Sequence, residues 1–585
     1  MAIVDKIEVR AKELFGKDFA FRPGQIDAIA SIIDNAVSNT KHVVLEAPTG
    51  SGKSIVGLMA AYFLYKEHEM KSYILVSDLS LFDQYVADID RLHSSDFGYI
   101  KGKENYVCNE NGCKVSQAIC SLQGVSIMGA AHSAWHRSSS FSCARFCKYA
   151  HDYAKAVKAP ITLMTYQLYF IQRNYVEDNL FRGHNSNFPK RDLTICDECH
   201  KICDICQSHF APRISIERPE WMTTLDKYAP SASMREDVRI SILGAIELSI
   251  DNDELMAAVS RYGRYVENYC AVNDKIRQKL AGTASLSKTD RRALAAGNIA
   301  RQEHCKIDDL QAFVAELGST EHIVKTVLGN EITINFVYDS MMLKKYMHAK
   351  SKTELLMSAT IGDFNEYAML AGLDIMSMQT LAMPSTFDFS KSPIYVSNAN
   401  KMSAALKSIS LPAIASQVAS ICRSKQHMRG IVQTGSYQNS IELKRLLPND
   451  VQQRCIFYGG TDEKKLAIDA YQAKDDAILV GPTLIEGLNF PDSMCRFQIC
   501  IKVPYAYLGS EYVKKKARYL DGWYEYDAIT KICQGIGRGV RHKDDWCETY
   551  ILDGCIMNII NKLEDIPMLS HRFKLLSVSS NLISV

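Results

Sequence analysis

The sequence lacks the features by which secreted, membrane-spanning and disordered proteins are recognised. Nowhere do about 18 apolar residues follow one another without a charge, and the N-terminal MAIVDKIEVRAKELFGK mixes charged with apolar residues. No low-complexity tract or short repeat is evident. Neither sign of charge predominates, because 68 basic and 66 acidic residues leave a net charge of +2. We therefore expect an intracellular, cytoplasmic protein that does not bind a membrane and whose net charge produces no strong electrostatic field.

The chain is long and contains many cysteines. Its 585 residues are several times the usual domain length of roughly 100–200 residues, so several domains are expected. The contents of hydrophobic residues (47%) and charged residues (23%) are typical of globular proteins. Eighteen cysteines without a secretion signal favour a reducing compartment, where thiols serve as core residues or metal ligands and not as disulfides.

A strand, a glycine-rich turn and a helix follow one another near the N-terminus. Residues 42–46 (HVVLE) are typical of a buried strand, and residues 55–64 of an apolar helix. The turn and the helix start between them are Ala47, Pro48, Thr49, Gly50, Ser51, Gly52, Lys53 and Ser54. This order is typical of a P-loop, whose backbone N–H groups and Lys53 bind phosphates while the Ser54 hydroxyl binds Mg²⁺. The sequence therefore predicts a nucleotide site with ATP and Mg²⁺ as ligands.

A second acidic half-site is expected at a strand end. Residues 193–200 (LTICDECH) form a short apolar run that ends in two carboxylates. In partnership with a P-loop, Asp197 would hold Mg²⁺ through water, and Glu198 would orient and deprotonate the attacking water. An acidic pair by itself is more often a solvated turn, so the P-loop carries this interpretation.

Further motifs follow in the order of a known family. Residues 197–200 (DECH) resemble the DEAH box of superfamily 2 helicases, and residues 358–360 (SAT) resemble the motif that couples the ATP site to the nucleic-acid strand. Residues 481–489 (GPTLIEGLN) resemble a motif of the second motor domain that includes Glu486 and Gly487. Residues 534–541 (QGIGRGVR) resemble the last motif, QxxGRxxR. Departures from the family pattern occur at Ala47, Cys199 and Asn489.

The resemblance implies roles for residues on both sides of a nucleotide. Gln534, Arg538 and Arg541 would belong to the facing domain, whose arginines stabilise charge on the γ-phosphate in the transition state. Residues 21–25 (FRPGQ) resemble the adenine-side element, in which Arg22 and Gln25 would bind the base. The same residues also read simply as a helix N-terminus with proline in its first turn.

Five cysteines lie within forty residues between the P-loop and DECH, namely Cys108, Cys113, Cys120, Cys143 and Cys147. Such density favours thiolate ligation of a metal. The flanks NYVC and CKYAHDYAKAVKAPITLMTY resemble the insertion of the xeroderma pigmentosum group D and bacterial DinG helicases, in which four cysteines hold a [4Fe–4S] cluster. The resemblance implies Cys108, Cys120, Cys143 and Cys147 as ligands, with Cys113 the alternative to Cys120.

Zinc is the main alternative metal, because four thiolates also form a closed tetrahedral zinc site. The spacing of the cysteines does not separate the two metals. A second set, Cys196, Cys199, Cys203 and Cys206, looks like two zinc knuckles, but zinc ribbons separate such pairs by roughly 12–20 residues. We interpret this second set as core thiols, with a second metal site as a minor alternative.

The resemblance implies an α/β protein with two RecA-like parallel-sheet motor domains, the first carrying an iron–sulfur insertion and a helical arch insertion. The expected division is 1–100, 159–206 and 346–375 for the first motor domain, 101–158 for the iron–sulfur insertion, 207–345 for the arch and 376–585 for the second motor domain. Within the arch, Leu255, Val259, Tyr262, Val266 and Tyr269 recur at helical spacing, which predicts one buried helix face.

The expected activity is that of an ATP-dependent 5′ to 3′ DNA helicase in replication, repair or recombination. It would act as a monomer on single-stranded DNA and duplex junctions, with accessory replication or repair proteins as further partners. An RNA helicase or a protein-displacing translocase is the enzyme alternative. A binding module that does not hydrolyse ATP is the alternative of another class, although the presence of Lys53, Asp197, Glu198 and Arg538 argues against it.

Overall fold

The computed structural model describes residues 2–48, 50–109, 112–118, 147–176, 188–230, 235–280, 287–385, 388–482, 490, 492–537, 539–540, 544–566, 569 and 572–576. Structural statements below concern these residues. No helix within these ranges is both long and apolar enough to cross a membrane.

The first sheet contains seven parallel strands. They are β1 (His42–Glu46), β2 (Ser72–Val76), β3 (Phe97–Tyr99), β4 (Ile161–Thr165), β5 (Leu193–Asp197), β9 (Thr353–Ser358) and β10 (Gln379–Ala382), in the order β10-β1-β9-β5-β2-β4-β3. Successive residues of a strand face opposite sides, so Val44 packs into one hydrophobic cluster and Val43 and Leu45 into another. Burial on both faces explains why these strands are runs of apolar residues.

Helices cover both faces of this sheet. They are α1 (Ile3–Phe15), α2 (Gln25–Val37), α3 (Lys53–His68), α4 (Leu79–Ile89), α5 (Lys148–Lys158), α6 (Tyr166–Phe170), α7 (Ile202–Phe210), α12 (Asp339–Tyr346) and α13 (Phe364–Ala371). Site residues stand at the ends of two strands: α3 begins at Lys53 after the turn that follows β1, and β5 ends at Asp197. The site residues thus sit at the carboxyl ends of parallel strands, where α/β sheets bind ligands.

The edge strand β10 belongs to the first sheet, because Gln379–Ala382 pairs with Val43–Glu46 of β1 in parallel. The sequence-based division at residue 376 had assigned this segment to the second motor domain. The strand is short, mostly exposed and free of motif residues, so its pattern gave no sign of pairing with a strand more than 300 residues earlier.

The segment between β5 and β9 contains a long helical pair and a small sheet. Its helices are α8 (Glu220–Tyr228), α9 (Glu236–Leu248), α10 (Asn252–Leu280) and α11 (Lys288–Leu317). Tyr262 contacts Glu303 and Arg277 contacts Asn298, so α10 and α11 run antiparallel. The predicted apolar stripe of α10 is buried throughout. The antiparallel sheet β6-β8-β7, formed by β6 (Arg213–Ser215), β7 (Ile323–Leu328) and β8 (Glu331–Phe336), was not predicted.

The second sheet also contains seven parallel strands, in the order β13-β14-β12-β15-β16-β11-β17. They are β11 (Ile394–Val396), β12 (Gly430–Gln433), β13 (Cys455–Phe457), β14 (Ile478–Gly481), β15 (Phe497–Cys500), β16 (Glu548–Ile551) and β17 (Phe573–Leu575). The helices are α14 (Lys407–Ser424), α15 (Tyr437–Leu446), α16 (Asn449–Gln452), α17 (Thr461–Gln472), α18 (Glu511–Tyr519), α19 (Trp523–Ile536) and α20 (Ile560–Glu564). Two parallel α/β sheets confirm the predicted fold class.

The two sheet units meet at a buried ion pair. Lys516 of α18 contacts Asp339 of α12, with 2.6 Å between Nζ and Oδ2 and only 4% of either side chain exposed. Burial raises the pKa of Asp339 to about 6, although Lys516 opposes the shift. Leu520 and Tyr526 from the second unit complete the hydrophobic cluster of the first.

Replacing Lys516 by methionine should lower the free energy of unfolding by about 3 kcal/mol at pH 8, because Asp339 then remains buried without a cation. The loss should be smaller at pH 5. Without Lys516 the folded-state pKa of Asp339 rises further above its unfolded value, so stability falls as pH increases through that interval. Lys514→Met on the same helix is the control, since Lys514 is 55% exposed. Denaturant unfolding at both pH values measures the effect, and equal losses in the two variants would contradict it.

Candidate functional site

The P-loop connects β1 to α3, and two of its glycines have left-handed backbone conformations. Gly50 has φ of 79° and Gly52 has φ of 80°. A Cβ at Gly52 would also lie 2.4 Å from Nε2 of Gln25. Both the backbone angle and the close approach therefore require glycine at position 52. The helix starts at Lys53, so its N-terminal N–H groups lie beside the turn, as an anion site requires. Thr49 lies outside the described residues.

The carboxylates of DECH meet Lys53 at the end of β5. The Lys53 Nζ lies 2.8 Å from Oδ1 of Asp197 and 2.8 Å from Oε1 of Glu198. Asp197 is fully buried, whereas the Glu198 side chain is 27% exposed. Glu198 has φ of 53°, an unfavourable backbone conformation for this residue type that is often found at functional sites. The two predicted half-sites are thus in direct contact.

Burial and ion pairing shift the pKa values of this cluster in opposite directions. Burial raises the pKa of Asp197, and the attraction of Lys53 offsets only part of that rise. Burial would also raise the pKa of Glu198, but Lys53 and His200 outweigh it and lower this pKa to about 2. For Lys53, burial favours the neutral amine, yet the two carboxylates raise its pKa above the ordinary value. Lys53 is therefore an ammonium and Glu198 a carboxylate at neutral pH.

Two tyrosines hold Asp197, a role that sequence reasoning assigned to neither of them. The Tyr85 hydroxyl on α4 donates to Oδ2 of Asp197 at 2.8 Å. The Tyr166 hydroxyl donates to the Asp197 carbonyl at 2.9 Å. The spacing of Phe82, Tyr85 and Ile89 marks one buried face of α4, and a hydroxyl on such a face could have suggested a buried partner.

The adenine-side element contacts the P-loop backbone. Nε2 of Gln25 donates to the Ser51 carbonyl at 2.8 Å, and its Oε1 accepts from the backbone N–H of Arg22 at 2.8 Å. The Arg22 guanidinium donates to the Gly50 carbonyl. These contacts bring the predicted base-binding residues to the phosphate-binding turn, and both ends of the Gln25 amide have partners within the chain.

Two contacts connect the nucleotide elements to the SAT motif after β9. Nδ1 of His200, the last residue of DECH, lies 2.8 Å from Oγ of Ser358. The Glu46 carboxylate, at the end of β1, accepts from the backbone N–H groups of Ile361 at 3.3 Å and Gly362 at 3.2 Å. Sequence reasoning predicted the His200 segment but not Glu46. A buried acidic residue directly before a P-loop could have indicated such a contact, because a buried carboxylate needs a hydrogen-bond donor.

The second sheet unit reaches this region through α19. The Tyr526 hydroxyl donates to the Ile361 carbonyl at 2.8 Å. Gln534, from the same helix, lines a cavity that His200 and Tyr367 border from the first unit. The structure thus brings predicted residues from DECH and from the last motif to one cleft. Glu486, Gly487, Arg538 and Arg541 lie outside the described residues.

The described part of the cysteine segment is compatible with a metal-binding insertion. Cys108 and Cys147 are both half-buried against the same hydrophobic cluster. The rings of Tyr106 and Tyr149, each two residues away, lie 5.2 Å apart, so the two cysteine-bearing segments are held side by side. Cys113 belongs to a tight turn in which its carbonyl accepts from the Cys108 N–H at 2.8 Å. Cys120 and Cys143 lie outside the described residues.

The four cysteines of the second set are residues of the hydrophobic core. Cys196, Cys199 and Cys206 are fully buried, and Cys203 is packed against the same cluster. Burial raises the pKa of the Cys199 thiol to about 12 and also raises the pKa values of the other three. Thiols that resist deprotonation are poor metal ligands.

Comparisons with known proteins point to one class. The family model of the type III restriction enzyme res subunit matches residues 18–214, and that of a helicase C-terminal domain matches residues 418–564. A probable ATP-dependent helicase of Methanocaldococcus jannaschii is 21% identical over 409 residues, which cover 60% of this chain and 60% of that protein. The ATP-dependent DNA helicase YoaA of Haemophilus influenzae is 20% identical, with 90% of each chain covered.

Solved structures share the fold. An XPD helicase structure has a TM-score of 0.60 at 16% identity, covering 95% of this chain and all of that one. The structure of S. tokodaii Xpd4 has a TM-score of 0.57 at 12% identity, covering 94% of this chain and all of that one. The P-loop, DECH and last-motif segments fall within the two family matches. Together these matches make the chain similar to ATP-dependent helicases and to the XPD helicase fold, in agreement with the resemblance drawn from the sequence motifs.

Proposed function

We propose that the protein is an ATP-dependent DNA helicase that moves 5′ to 3′ on single-stranded DNA and separates duplexes during replication, repair or recombination. The observation that carries the proposal is the contact of Lys53 with Asp197 and Glu198 at the mouth of a P-loop. His200, two residues after Glu198, borders a cavity that α19 of the second sheet unit also lines. The division into two motor domains, an arch and a cysteine insertion is part of the same proposal.

Lys53 would bind the β- and γ-phosphates by leaving its two carboxylate partners. This exchange removes the cation that lowers the Glu198 pKa, so Glu198 becomes a stronger base when substrate is present. Ser54 and Asp197 would hold Mg²⁺, which when bound neutralises charge on the phosphates. Tyr85 orients Asp197 through its hydroxyl. Arg22 and Gln25 would bind the base, and Arg538 and Arg541 would stabilise the γ-phosphate from the facing domain.

Coupling of hydrolysis to movement would use the contacts between DECH, SAT and α19. His200 contacts Ser358 of SAT, and the following loop receives the Tyr526 hydroxyl from the second unit. A change at Glu198 therefore has a short path of polar contacts to the opposite domain. The 5′ to 3′ direction and the preference for DNA are supported by the family resemblance, and the printed name of the Haemophilus relative supports DNA as the substrate.

We further propose that Cys108, Cys120, Cys143 and Cys147 hold a [4Fe–4S] cluster, which when bound would cross-link the first and last segments of the insertion. Support comes from the flanks of these cysteines and from the Tyr106–Tyr149 contact that holds two of the segments together. Cys113 is less suited, because its thiol donates to the Lys114 carbonyl at 3.3 Å within a tight turn.

Lys53→Ala should reduce DNA-dependent ATP hydrolysis by about 100- to 1,000-fold and abolish strand displacement, because the phosphates lose their buried cation. Lys66→Ala, on the same helix, should leave both unchanged. Duplexes with only a 5′ or only a 3′ single-stranded tail, made of DNA or RNA, test direction and substrate. We expect unwinding of 5′-tailed DNA. A requirement for the 3′ tail, a preference for RNA, or activity that survives in Lys53→Ala would contradict the proposal.

Tyr526→Phe should lower the DNA-stimulated kcat for ATP hydrolysis about 3- to 10-fold with little change in KM for ATP. The substitution leaves the Ile361 carbonyl without its buried donor, a loss of about 1 kcal/mol, but touches no P-loop residue. Tyr524→Phe is the matched control, since the Tyr524 hydroxyl donates to the Ala506 carbonyl within the second unit. Steady-state kinetics with saturating single-stranded DNA measure both variants. Equal effects would show that the contact between units has no coupling role.

Cys108→Ser and Cys147→Ser should each remove bound iron and the broad visible absorption of an anaerobic preparation, because each would remove one thiolate ligand. Cys113→Ser should retain both signals. Elemental analysis accompanies the spectra. Colourless protein that contains zinc in place of iron would refute the cluster, and loss of iron in Cys113→Ser but not in Cys120→Ser would refute the ligand set.

A further inference from the structure

A second group of possible metal ligands lies at the end of the first sheet that is opposite to the P-loop. His42 is the first residue of β1, Glu354 is the second residue of β9, and the two are paired in the parallel register. His348 lies in a short 3-10 turn before β9. One donor atom from each of the three side chains lies within 4.8 Å of the others. Exposure is 6% for His42, 5% for His348 and zero for Glu354.

The orientation of His348 is that of a metal ligand. Its Nε2 donates to the Ala371 carbonyl at 2.8 Å, so Nδ1 points toward Glu354, with 2.6 Å between Nδ1 and Oε2. Histidines that bind metals usually donate their second ring N–H to a carbonyl or carboxylate, which fixes the ring and its tautomer.

A simple ion pair between His348 and Glu354 does not account for the whole group. Within the described structure, both ring nitrogens of His42 and the Oε1 atom of Glu354 are buried without a hydrogen-bond partner. Leaving buried polar atoms unpaired is unfavourable by roughly 1–3 kcal/mol for each group. The His42 Nε2 lies 3.8 Å from Oε2 of Glu354, too far for a hydrogen bond but suitable for two ligands of one ion.

We propose that His42, His348 and Glu354 bind a divalent transition-metal ion, with Zn²⁺ the best match, at a site separate from the nucleotide and the cysteine segment. Metal–ligand bonds of roughly 2.0–2.1 Å place neighbouring ligand atoms of a tetrahedron about 3.3 Å apart. The distances of 2.6 Å and 3.8 Å from the two histidines to Glu354 bracket that value, and the three donor atoms all lie within 4.8 Å of one another, so small side-chain shifts would complete the geometry.

The ligand chemistry favours zinc over magnesium or calcium. Two imidazoles and one carboxylate suit Zn²⁺, whereas the alkaline-earth ions prefer oxygen ligands. The ammonium of Lys41 contacts the carbonyls of His348 and Ser351, and its charge opposes a cation that is held by electrostatic attraction alone. A cation at this position therefore needs coordinate bonds from the imidazole nitrogens of His42 and His348. The metal replaces the proton shared by His348 and Glu354, which is released to solvent, and water fills the fourth position.

The ion would join the starts of the two central strands that lead to the P-loop and to SAT. Its role is structural, because the ligands lie at the strand ends remote from Lys53. The inference does not depend on the proposed helicase function, and metal binding should survive in the Lys53→Ala variant.

The test uses the full-length protein after removal of loosely bound metal by chelator, titrated with Co²⁺ and then with Zn²⁺. We expect about one equivalent of Co²⁺ to give visible d–d bands without the sulfur-to-cobalt charge-transfer bands that cysteine ligands produce. Zn²⁺ should displace the Co²⁺ and raise the thermal unfolding temperature. His42→Gln should weaken binding by more than tenfold and remove the zinc-dependent rise.

His209→Gln serves as the control, because His209 is a half-buried histidine on α7 outside this group. It should retain the cobalt spectrum. His348→Gln provides a second ligand variant if His42→Gln folds poorly. The proposal is overturned if the wild-type protein shows only charge-transfer bands, if it takes up no metal, or if the spectrum persists in both His42→Gln and His348→Gln.

Discussion

The first sheet unit is organised around one ammonium held between two carboxylates in a place almost closed to water. Adjacent carboxylates at a buried strand end are strongly unfavourable unless a cation and several donors compensate them. Lys53 supplies the cation, and Tyr85 supplies one of the donors. The left-handed backbone at Glu198 separates the two acids, so Asp197 is buried while the Glu198 side chain stays 27% exposed. The P-loop glycines, β5 and α4 all have to be in place for this cluster to form.

The same arrangement explains how a buried site can respond to its ligand. The Lys53 ammonium is held by protein groups, for which a phosphate would compete in the proposed function, and the pKa values of Asp197 and Glu198 depend on its position. Polar contacts continue from this cluster through His200 to Ser358, and the loop after Ser358 accepts from Tyr526 of the second unit. In the proposed function, these hydrogen bonds would link the charge beside Lys53 to the position of the second unit.

The parts of this protein that could be predicted from sequence are those encoded locally. A strand, two glycines and a helix start define the P-loop within a dozen residues, and an apolar run before Asp197 marks the second strand end. Tyr85, Glu46 and Tyr526 were missed, because their importance comes from partners more than a hundred residues away. The edge strand Gln379–Ala382 was missed for the same reason.

Strand order in the first sheet has a consequence for how the chain is made. The P-loop strand β1 has only β9 and β10 as neighbours, and neither has been synthesised until residues 353–382 have left the ribosome. Until then β1 has two open edges, while β2, β3, β4 and β5 can already pair with one another. Co-translational folding must therefore begin from the other half of the sheet. Because β1 joins β5 only through β9, we expect the contact of Lys53 with Asp197 to form late in the folding of the nascent chain.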